Sequence, residues 1–167
     1  ETDYEIAKQR MSSFMKEFYD EQRSVTEYIL DFTPEEKQFL FDTLVENYKP
    51  ENRVYRYNHF LDNCSTRLRD QIEKTVKGQI KYDTSGDERL TFRNLIDRYV
   101  VGNSWSGLGI KLALGYPTDR LTTFSEKMFL PDYLGKDMSA AVITRDGHSS
   151  PLILSTSMII QAPLPEH

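Results

Sequence analysis

Residues 53–78 read RVYRYNHFLDNCSTRLRDQIEKTVKG, and this stretch decides how the fold is organised around the single cysteine of the chain. Polar and apolar side chains alternate over its first part, which predicts a strand. Asp62 or Asn63 can then cap a helix that starts at Cys64 and stops at Gly78. The apolar face of this helix would hold Leu68, Ile72 and Val76. The cysteine therefore lies where a strand runs directly into a helix.

Cys64 would occupy the first helical position, where backbone N–H groups are unpaired and the helix dipole is positive. Both features favour a thiolate, and the same N–H groups can receive an oxyanion. The opposite interpretation is a core residue, since a lone free cysteine is more often buried than catalytic. A nucleophile also needs a base close to it, and none of the three histidines, His59, His148 and His167, is a convincing partner. Position alone leaves both interpretations open.

The rest of the chain alternates between helical and strand-like patterns. Thr33, Pro34 and Glu36 form the signature of a helix start, with an N-cap, a proline at the first helical position and a capping-box glutamate. Besides the strand and the helix around Cys64, the predicted elements are an amphipathic helix over 3–23, a strand over 24–32, helices over 33–48 and 90–100, and a hairpin with a long turn, RDGHSSP, within 140–161. The pattern predicts an α+β protein with helices packed on a small antiparallel sheet.

Length and composition exclude several classes of function. A chain of 167 residues is about one domain, so residues 1–167 are expected to form a single unit. The net charge of −5 gives no basic surface for nucleic acid. No apolar run has the length of a membrane span, and no spacing of histidines, cysteines or carboxylates predicts a metal site. Neither a metal nor a cofactor is expected.

The run FLDNCSTRLRD, residues 60–70, resembles the signature of the Lnb N-terminal periplasmic domain family of Gram-negative envelope proteins. Further blocks agree with that family in the same order: 23–60, TFRNLIDRY at 91–99, GIKLALGYPTDR at 109–120 and MFLPDYL at 128–134. Because these separate blocks recur in one order over most of residues 4–135, the resemblance is specific.

The resemblance implies a chemistry. The family is similar to permuted papain-like enzymes of the NlpC/P60 type, and members look like lipoprotein N-acyltransferases. Cys64 would accept an acyl chain from a phospholipid or lipoprotein donor as a thioester, and an amine at a lipoprotein N-terminus would receive it. The N–H of Cys64 would help to bind the oxyanion. The residues implied to shape or line the site are Asp62, Asn63, Ser65, Thr66, Arg67 and Arg69.

The chain departs from the family pattern at its start. The family carries a histidine, in a block of the form G-H-T/S, before the first helix, and the present sequence begins after that point. The resemblance thus implies that the catalytic base is missing and that residues 1–167 are a piece of a larger periplasmic domain. It also implies association with the inner membrane through segments that this chain does not contain.

Several alternatives stay open on the sequence alone. Arg67 and Arg69 could form an ordinary surface charge cluster with Asp70. Trp105 could stack on a substrate or cover an acyl groove, although a single tryptophan is more often a packing anchor. The function could also be that of a catalytically silent binding or scaffold domain, or of a peptidoglycan amidase or peptidase of the NlpC/P60 type. An accessible Cys64 would favour catalysis, and a fully buried one would favour a scaffold.

Overall fold

A computed structural model describes residues 3–99 and 116–163 of the chain. Short 3-10 helices cover Tyr116–Asp119 and Ser125–Phe129. The longer elements, in chain order, are β1 (Asp3–Glu5), α1 (Met11–Asp20), β2 (Val25–Leu30), α2 (Pro34–Asn47), β3 (Val54–Arg56), α3 (Cys64–Thr75), β4 (Gln79–Lys81), α4 (Phe92–Asp97), α5 (Pro131–Ser139), β5 (Val142–Arg145), β6 (His148–Pro151) and β7 (Ile153–Ile160).

The described strands form three small antiparallel sheets. Strand β1 pairs with β3, β2 pairs with β7, and β4, β5 and β6 pair in that order. The α+β class is therefore confirmed. The strands are divided among three sheets, whereas the sequence predicts one, because three of the four described pairs join segments that are far apart in the chain.

The main core lies between the second half of α3, the helix α5 and the sheet of β4, β5 and β6. Its buried side chains are Phe32, Ile72, Val76, Met128, Leu134, Met138, Ala141, Ile143 and Leu152. A smaller cluster of Phe92, Leu95 and Phe129 packs beneath Phe60. The backbone on both sides of Cys64 is thereby held in place, since α3 packs into the first cluster and the turn before α3 packs onto the second.

The helix starts agree with the sequence where capping signals are strong. In α2 the Thr33 hydroxyl accepts the N–H of Glu36, and the Glu36 carboxylate accepts the N–H of Thr33. The predicted helix over 3–23 is wrong in its first part: α1 begins at Met11, and Asp3–Glu5 is a strand. Pairing with β3, and the stacking of Tyr4 on Tyr57 at 4.2 Å, prevail there over the helical period.

The C-terminal hairpin is tighter than the predicted long turn. Asp146 and Gly147 both have positive φ, 49° and 79°, which is the geometry of a two-residue turn with an Asp-Gly sequence. The segment after it, His148–Pro151, is therefore strand β6 and pairs with β5. The second apolar run forms β7, which leaves this sheet and pairs with β2.

Gly78 has a different role from the one predicted. Helix α3 ends at Thr75, and Val76 already has extended backbone angles. A Cβ on Gly78 would lie 2.7 Å from the carbonyl oxygen of Thr144. The glycine thus permits close approach of the chain to β5, and it does not terminate the helix.

Candidate active site around Cys64

Cys64 is the first residue of α3, as predicted, and its side chain is exposed. The cap is Asn63, whose Oδ1 accepts the N–H groups of Ser65 and Thr66, each at 2.9 Å. In return the hydroxyl of Thr66 accepts the N–H of Asn63 at 2.8 Å. Both Ser65 and Thr66 are buried. The helix start is therefore closed by a complete capping box, with the cysteine sulfur on its outer side.

Asn63 also ties the helix start to the rest of the fold. Its Nδ2 donates to the carbonyl oxygens of His59, at 3.0 Å, and Phe129, at 2.9 Å. The first bond closes the turn before α3, and the second reaches the segment that leads into α5. Since Asn63 is only 5% exposed, these bonds are shielded from water. The backbone that carries Cys64 is held from both sides.

The cap changes the expectation for the oxyanion. The sequence predicts several free N–H groups at the helix start, but Asn63 occupies those of Ser65 and Thr66. Within residues 3–99 and 116–163, the N–H of Cys64 itself has no hydrogen-bond acceptor. The donor that remains for a developing oxyanion is thus the backbone N–H of Cys64, supported by the helix dipole.

Arg67 braces the same junction. Its guanidinium makes two hydrogen bonds to the Asp62 carboxylate, at 2.6 and 2.8 Å, and lies 3.5 Å from the ring centre of Tyr55. The hydrogen bonds to Asp62 raise the pKa of Arg67. Asp62 is therefore the partner of Arg67 and not the cap. The predicted surface cluster is limited to Arg69, which pairs with Asp70 and also donates to the carbonyl of Ser125 at 2.7 Å.

Aromatic residues lie on one side of the sulfur. Burial raises the pKa of the Tyr55 and Tyr57 hydroxyls, and negative charge at Cys64 acts in the same direction on both, although Arg67 lowers the pKa of Tyr55. Tyr57 also contacts His59, with ring centres 5.0 Å apart in an edge-on arrangement. A groove of about 590 Å³ lies at Tyr57 and His59 and is also lined by Tyr4, Arg56 and Asp62.

A second, apolar groove of about 450 Å³ has Cys64 and Ser65 on its wall. Three elements form it: β2, the exposed face of α3, and α5. The other lining residues are Thr26, Tyr28, Leu30, Leu68, Ile72, Pro131, Leu134, Gly135 and Met138. Leu68 shares the predicted apolar face with Ile72 and Val76, but it is 54% exposed and lines this groove. The sulfur therefore lies at the apolar groove, whereas Asp62, two residues before it in the chain, lines the aromatic, polar one.

The sequence does not predict that residues of β2 and α5 contribute to the site. Tyr28 and Gly135 meet across the groove, and a Cβ on Gly135 would lie 2.5 Å from the Tyr28 hydroxyl. Tyr28 belongs to a strand that was predicted correctly, and α5 contains most of the MFLPDYL block. Only their position beside α3, which depends on the tertiary fold, gives them a place in the site.

No described side chain hydrogen-bonds to the Cys64 sulfur. His59 is exposed in the turn before α3, and His148 is the first residue of β6, not part of a turn. Trp105 and His167 lie outside the described residues. Over the described ranges no group of histidine, cysteine or acidic side chains could hold a metal ion. Nor is any helix among them long and apolar enough to cross a membrane.

Comparison with known proteins gives one positive result. Neither the curated proteins nor the solved structures yield a match. The family model of the Lnb N-terminal periplasmic domain matches residues 1–98, which is more than half of the chain and includes Cys64 with its cap. This family consists of periplasmic domains, so the periplasm of the bacterial envelope is the fitting location. The chain belongs to the Lnb N-terminal periplasmic domain family.

Proposed function

We propose that this protein transfers an acyl chain in the bacterial cell envelope through a thioester on Cys64. The observation that carries the proposal is the position of the thiol: it is exposed, at the start of a capped helix, on the wall of an apolar groove. A purely structural cysteine would be expected in the core. The proposal includes the permuted papain-like arrangement that the family resemblance implies.

The apolar groove supports an acyl chain as the bound group. Its volume of about 450 Å³ lies in the usual range for small-molecule sites. Its walls are mostly aliphatic, and each buried methylene of a lipid chain contributes about 0.8 kcal/mol. A peptide backbone would find few hydrogen-bonding groups there. This groove therefore favours acyl transfer over the peptidoglycan peptidase alternative.

The proposed reaction has two steps. The Cys64 thiolate attacks the carbonyl carbon of an acyl ester, the oxyanion is bound by the N–H of Cys64, and the ester C–O bond breaks as the leaving alcohol takes a proton. An amine nitrogen then attacks the thioester, the C–S bond breaks, and the nitrogen loses a proton as an amide forms and the thiol is restored. A histidine base, as the family resemblance implies, would carry these protons.

The two grooves suggest separate places for the two substrates. The acyl chain would lie between β2, α3 and α5. The amine acceptor, the free N-terminus of a lipoprotein, would approach from the side of Tyr57 and His59, where the groove is polar and open. An amine that approaches from this side would reach the thioester carbonyl carbon, which is the atom it attacks, while the acyl chain stays in the apolar groove.

Trapping the thioester tests the proposal. The protein is incubated with palmitoyl phospholipid vesicles and, separately, with p-nitrophenyl palmitate, an activated donor that reacts even with weak base assistance. Intact-mass measurement should show one palmitoyl adduct that hydroxylamine removes, and Cys64→Ala should show none. The proposed function would be overturned if neither donor gave an adduct, or if Cys64→Ala gave an equal one.

A further inference from the structure

A third cavity, of about 430 Å³ and separate from both grooves near Cys64, lies on the other side of α5 from the apolar groove. Helix α5 presents Leu134, Gly135 and Met138 to the apolar groove, whereas Tyr133, Lys136 and Asp137 line the polar cavity. The two sites thus share a helix but no lining residue. The proposed acyl transfer makes no use of this cavity.

Asp137 is the unusual group in the cavity. It is 9% exposed, and its carboxylate has no hydrogen bond or ion pair with any residue in 3–99 or 116–163. Burial raises the pKa of this carboxyl, although Lys136 and Lys127 act in the opposite direction. The residue is largely enclosed by its neighbours and lines the cavity, so its carboxylate can accept hydrogen bonds from a ligand bound there.

Most of the other charged groups in the cavity already have partners. Lys127 donates to the Asp87 carboxylate and to the carbonyl of Glu88. The side chain of Arg98 bonds to the Glu88 carboxylate at 2.6 Å and to the Tyr133 hydroxyl at 2.5 Å. Asp132 accepts the hydroxyl of Tyr99 at 2.8 Å. Asp83 accepts the N–H of Ser85 at 2.9 Å. Among the cavity carboxylates of the described ranges, Asp137 is therefore the one without a hydrogen bond.

We propose that this cavity binds a small organic cation with a primary ammonium group, held by the Asp137 carboxylate and the rings of Tyr99 and Tyr133. Five carboxylates and three cationic side chains line the described part of the cavity, so its field favours a cation. An ammonium can donate to a carboxylate while lying over aromatic faces. A metal ion fits less well, because the described acidic residues form no metal-binding group.

The same ammonium chemistry occurs in a free amine and in an ethanolamine lipid headgroup. NMR titration with ethanolamine should shift the resonances of Tyr99, Tyr133 and Asp137, whereas ethylene glycol, which is neutral and of similar size, should not shift them. Sedimentation with phosphatidylethanolamine vesicles, compared with phosphatidylglycerol vesicles, then distinguishes the two sources. Equal responses to ethanolamine and ethylene glycol would overturn the proposal.

The matched variants are Asp137→Asn and Asp42→Asn, the second on an exposed face of α2. Asp137→Asn should weaken ethanolamine binding at least about tenfold, because a charge-assisted hydrogen bond is lost. Asp42→Asn should bind like the wild type. Ethanolamine should raise the melting temperature of the wild type but not of Asp137→Asn. Unchanged binding in Asp137→Asn would overturn the proposal, and should that variant fail to fold, the wild-type comparison of ethanolamine with ethylene glycol decides instead.

Discussion

Asn63 makes four side-chain hydrogen bonds, and these set the position of Cys64. Its Oδ1 accepts the N–H groups of Ser65 and Thr66, and its Nδ2 donates to the carbonyls of His59 and Phe129. The sequence leaves Asp62 and Asn63 as equal candidates for the cap because both residue types cap helices well. Tertiary contacts decide between them, and no local pattern identifies these contacts. The amide of Asn63 donates to the Phe129 carbonyl, whereas Asp62 pairs with Arg67, which lies over the Tyr55 ring.

We predict that Asn63→Ala destabilises the fold by roughly 2 kcal/mol or more. The lost cap contributes about 1 kcal/mol, and the carbonyls of His59 and Phe129 lose their donor in a shielded place. Urea unfolding measures the effect, with Thr33→Ala on α2 as a reference that loses a cap alone. A loss no larger for Asn63→Ala than for Thr33→Ala would contradict the role given to the amide nitrogen.

Asp137 gives a prediction about pH. Its pKa is raised by burial, so the folded state disfavours the charged form, and stability is lost as the pH rises through the ordinary aspartate range. Asp137→Asn should therefore be more stable than the wild type at neutral pH. The difference should shrink as the pH falls below about 3.9, where the unfolded carboxyl is also protonated.

Denaturant unfolding of both proteins across this pH range measures the difference. A companion variant, Asp132→Asn, removes a carboxylate from the same cavity that accepts the Tyr99 hydroxyl, and it should show no such gain. If Asp137→Asn were less stable than the wild type at neutral pH, Asp137 would have a structural partner, in contradiction to its free carboxylate.

At the scale of elements, helix α3 shows what a hydrophobic period can and cannot predict. Leu68, Ile72 and Val76 do lie on the apolar side of the sequence pattern. Ile72 and Val76 are buried, but Leu68 is 54% exposed on the groove wall. The period gives the direction of an apolar face, whereas the placement of β2 and α5 decides which part of that face is covered.

We predict that Leu68→Lys impairs the groove without impairing the fold. A charged side chain among apolar walls disfavours a bound alkyl chain, and the substituted position is already half exposed. The measurement is the rate at which Cys64 reacts with decyl and methyl methanethiosulfonate. Leu68→Lys should lower the decyl rate much more than the methyl rate.

Leu61→Lys is the matched control for this prediction, because Leu61 is 53% exposed in the turn before α3 and does not line the groove. It should leave both rates near those of the wild type. An equal drop in the decyl rate for the two variants would mean that the groove does not receive the chain.

Other elements show where sequence patterns were sufficient. The capping box of α2 involves only Thr33 and Glu36, three residues apart, so the sequence contains all the information that fixes it. The turn at Asp146 and Gly147 also has a local signature, but the prediction of a long loop overlooked it. By contrast, the strand Asp3–Glu5 exists because it pairs with Val54–Arg56, which no local signal indicates.

At the scale of the whole molecule, a buried ion pair joins the small sheets to the helices. The Glu36 side chain is fully buried and accepts the backbone N–H of Lys77, after α3, and the guanidinium of Arg145 from β5. Arg145 also bonds to the carbonyl of Asp31 at 2.7 Å. Burial raises the pKa of Glu36, but the bonds from Thr33, Lys77 and Arg145 prevail and lower it.

We predict that Arg145→Met destabilises the fold by about 3–5 kcal/mol, because it leaves the Glu36 charge buried without its cation. The double variant Glu36→Gln with Arg145→Met should recover part of that loss, since no uncompensated charge remains. Unfolding free energies of the wild type, the two single variants and the double variant form a complete cycle. A loss below about 1 kcal/mol for Arg145→Met would contradict a central role for this pair.

The α+β class followed from the sequence, because strand-like and helix-like runs alternate clearly. The division into three sheets did not, since β2 pairs with β7 and β1 with β3 across long stretches of chain. The same holds for the site. The position of Cys64 at a helix start is local and follows from the sequence, with Asp62 or Asn63 as its cap, whereas both grooves exist only in the tertiary fold, which assembles β2, α3 and α5 and the tyrosine cluster.

The measurement that tests the Cys64 site most directly is the ratio of decyl to methyl methanethiosulfonate rates on Cys64, in the folded chain and in urea. We predict a ratio at least about tenfold higher in the folded chain, because burying even two methylenes contributes about 1.6 kcal/mol. The same ratio in both states would show that no apolar groove leads a chain to the sulfur, and would contradict acyl transfer at Cys64.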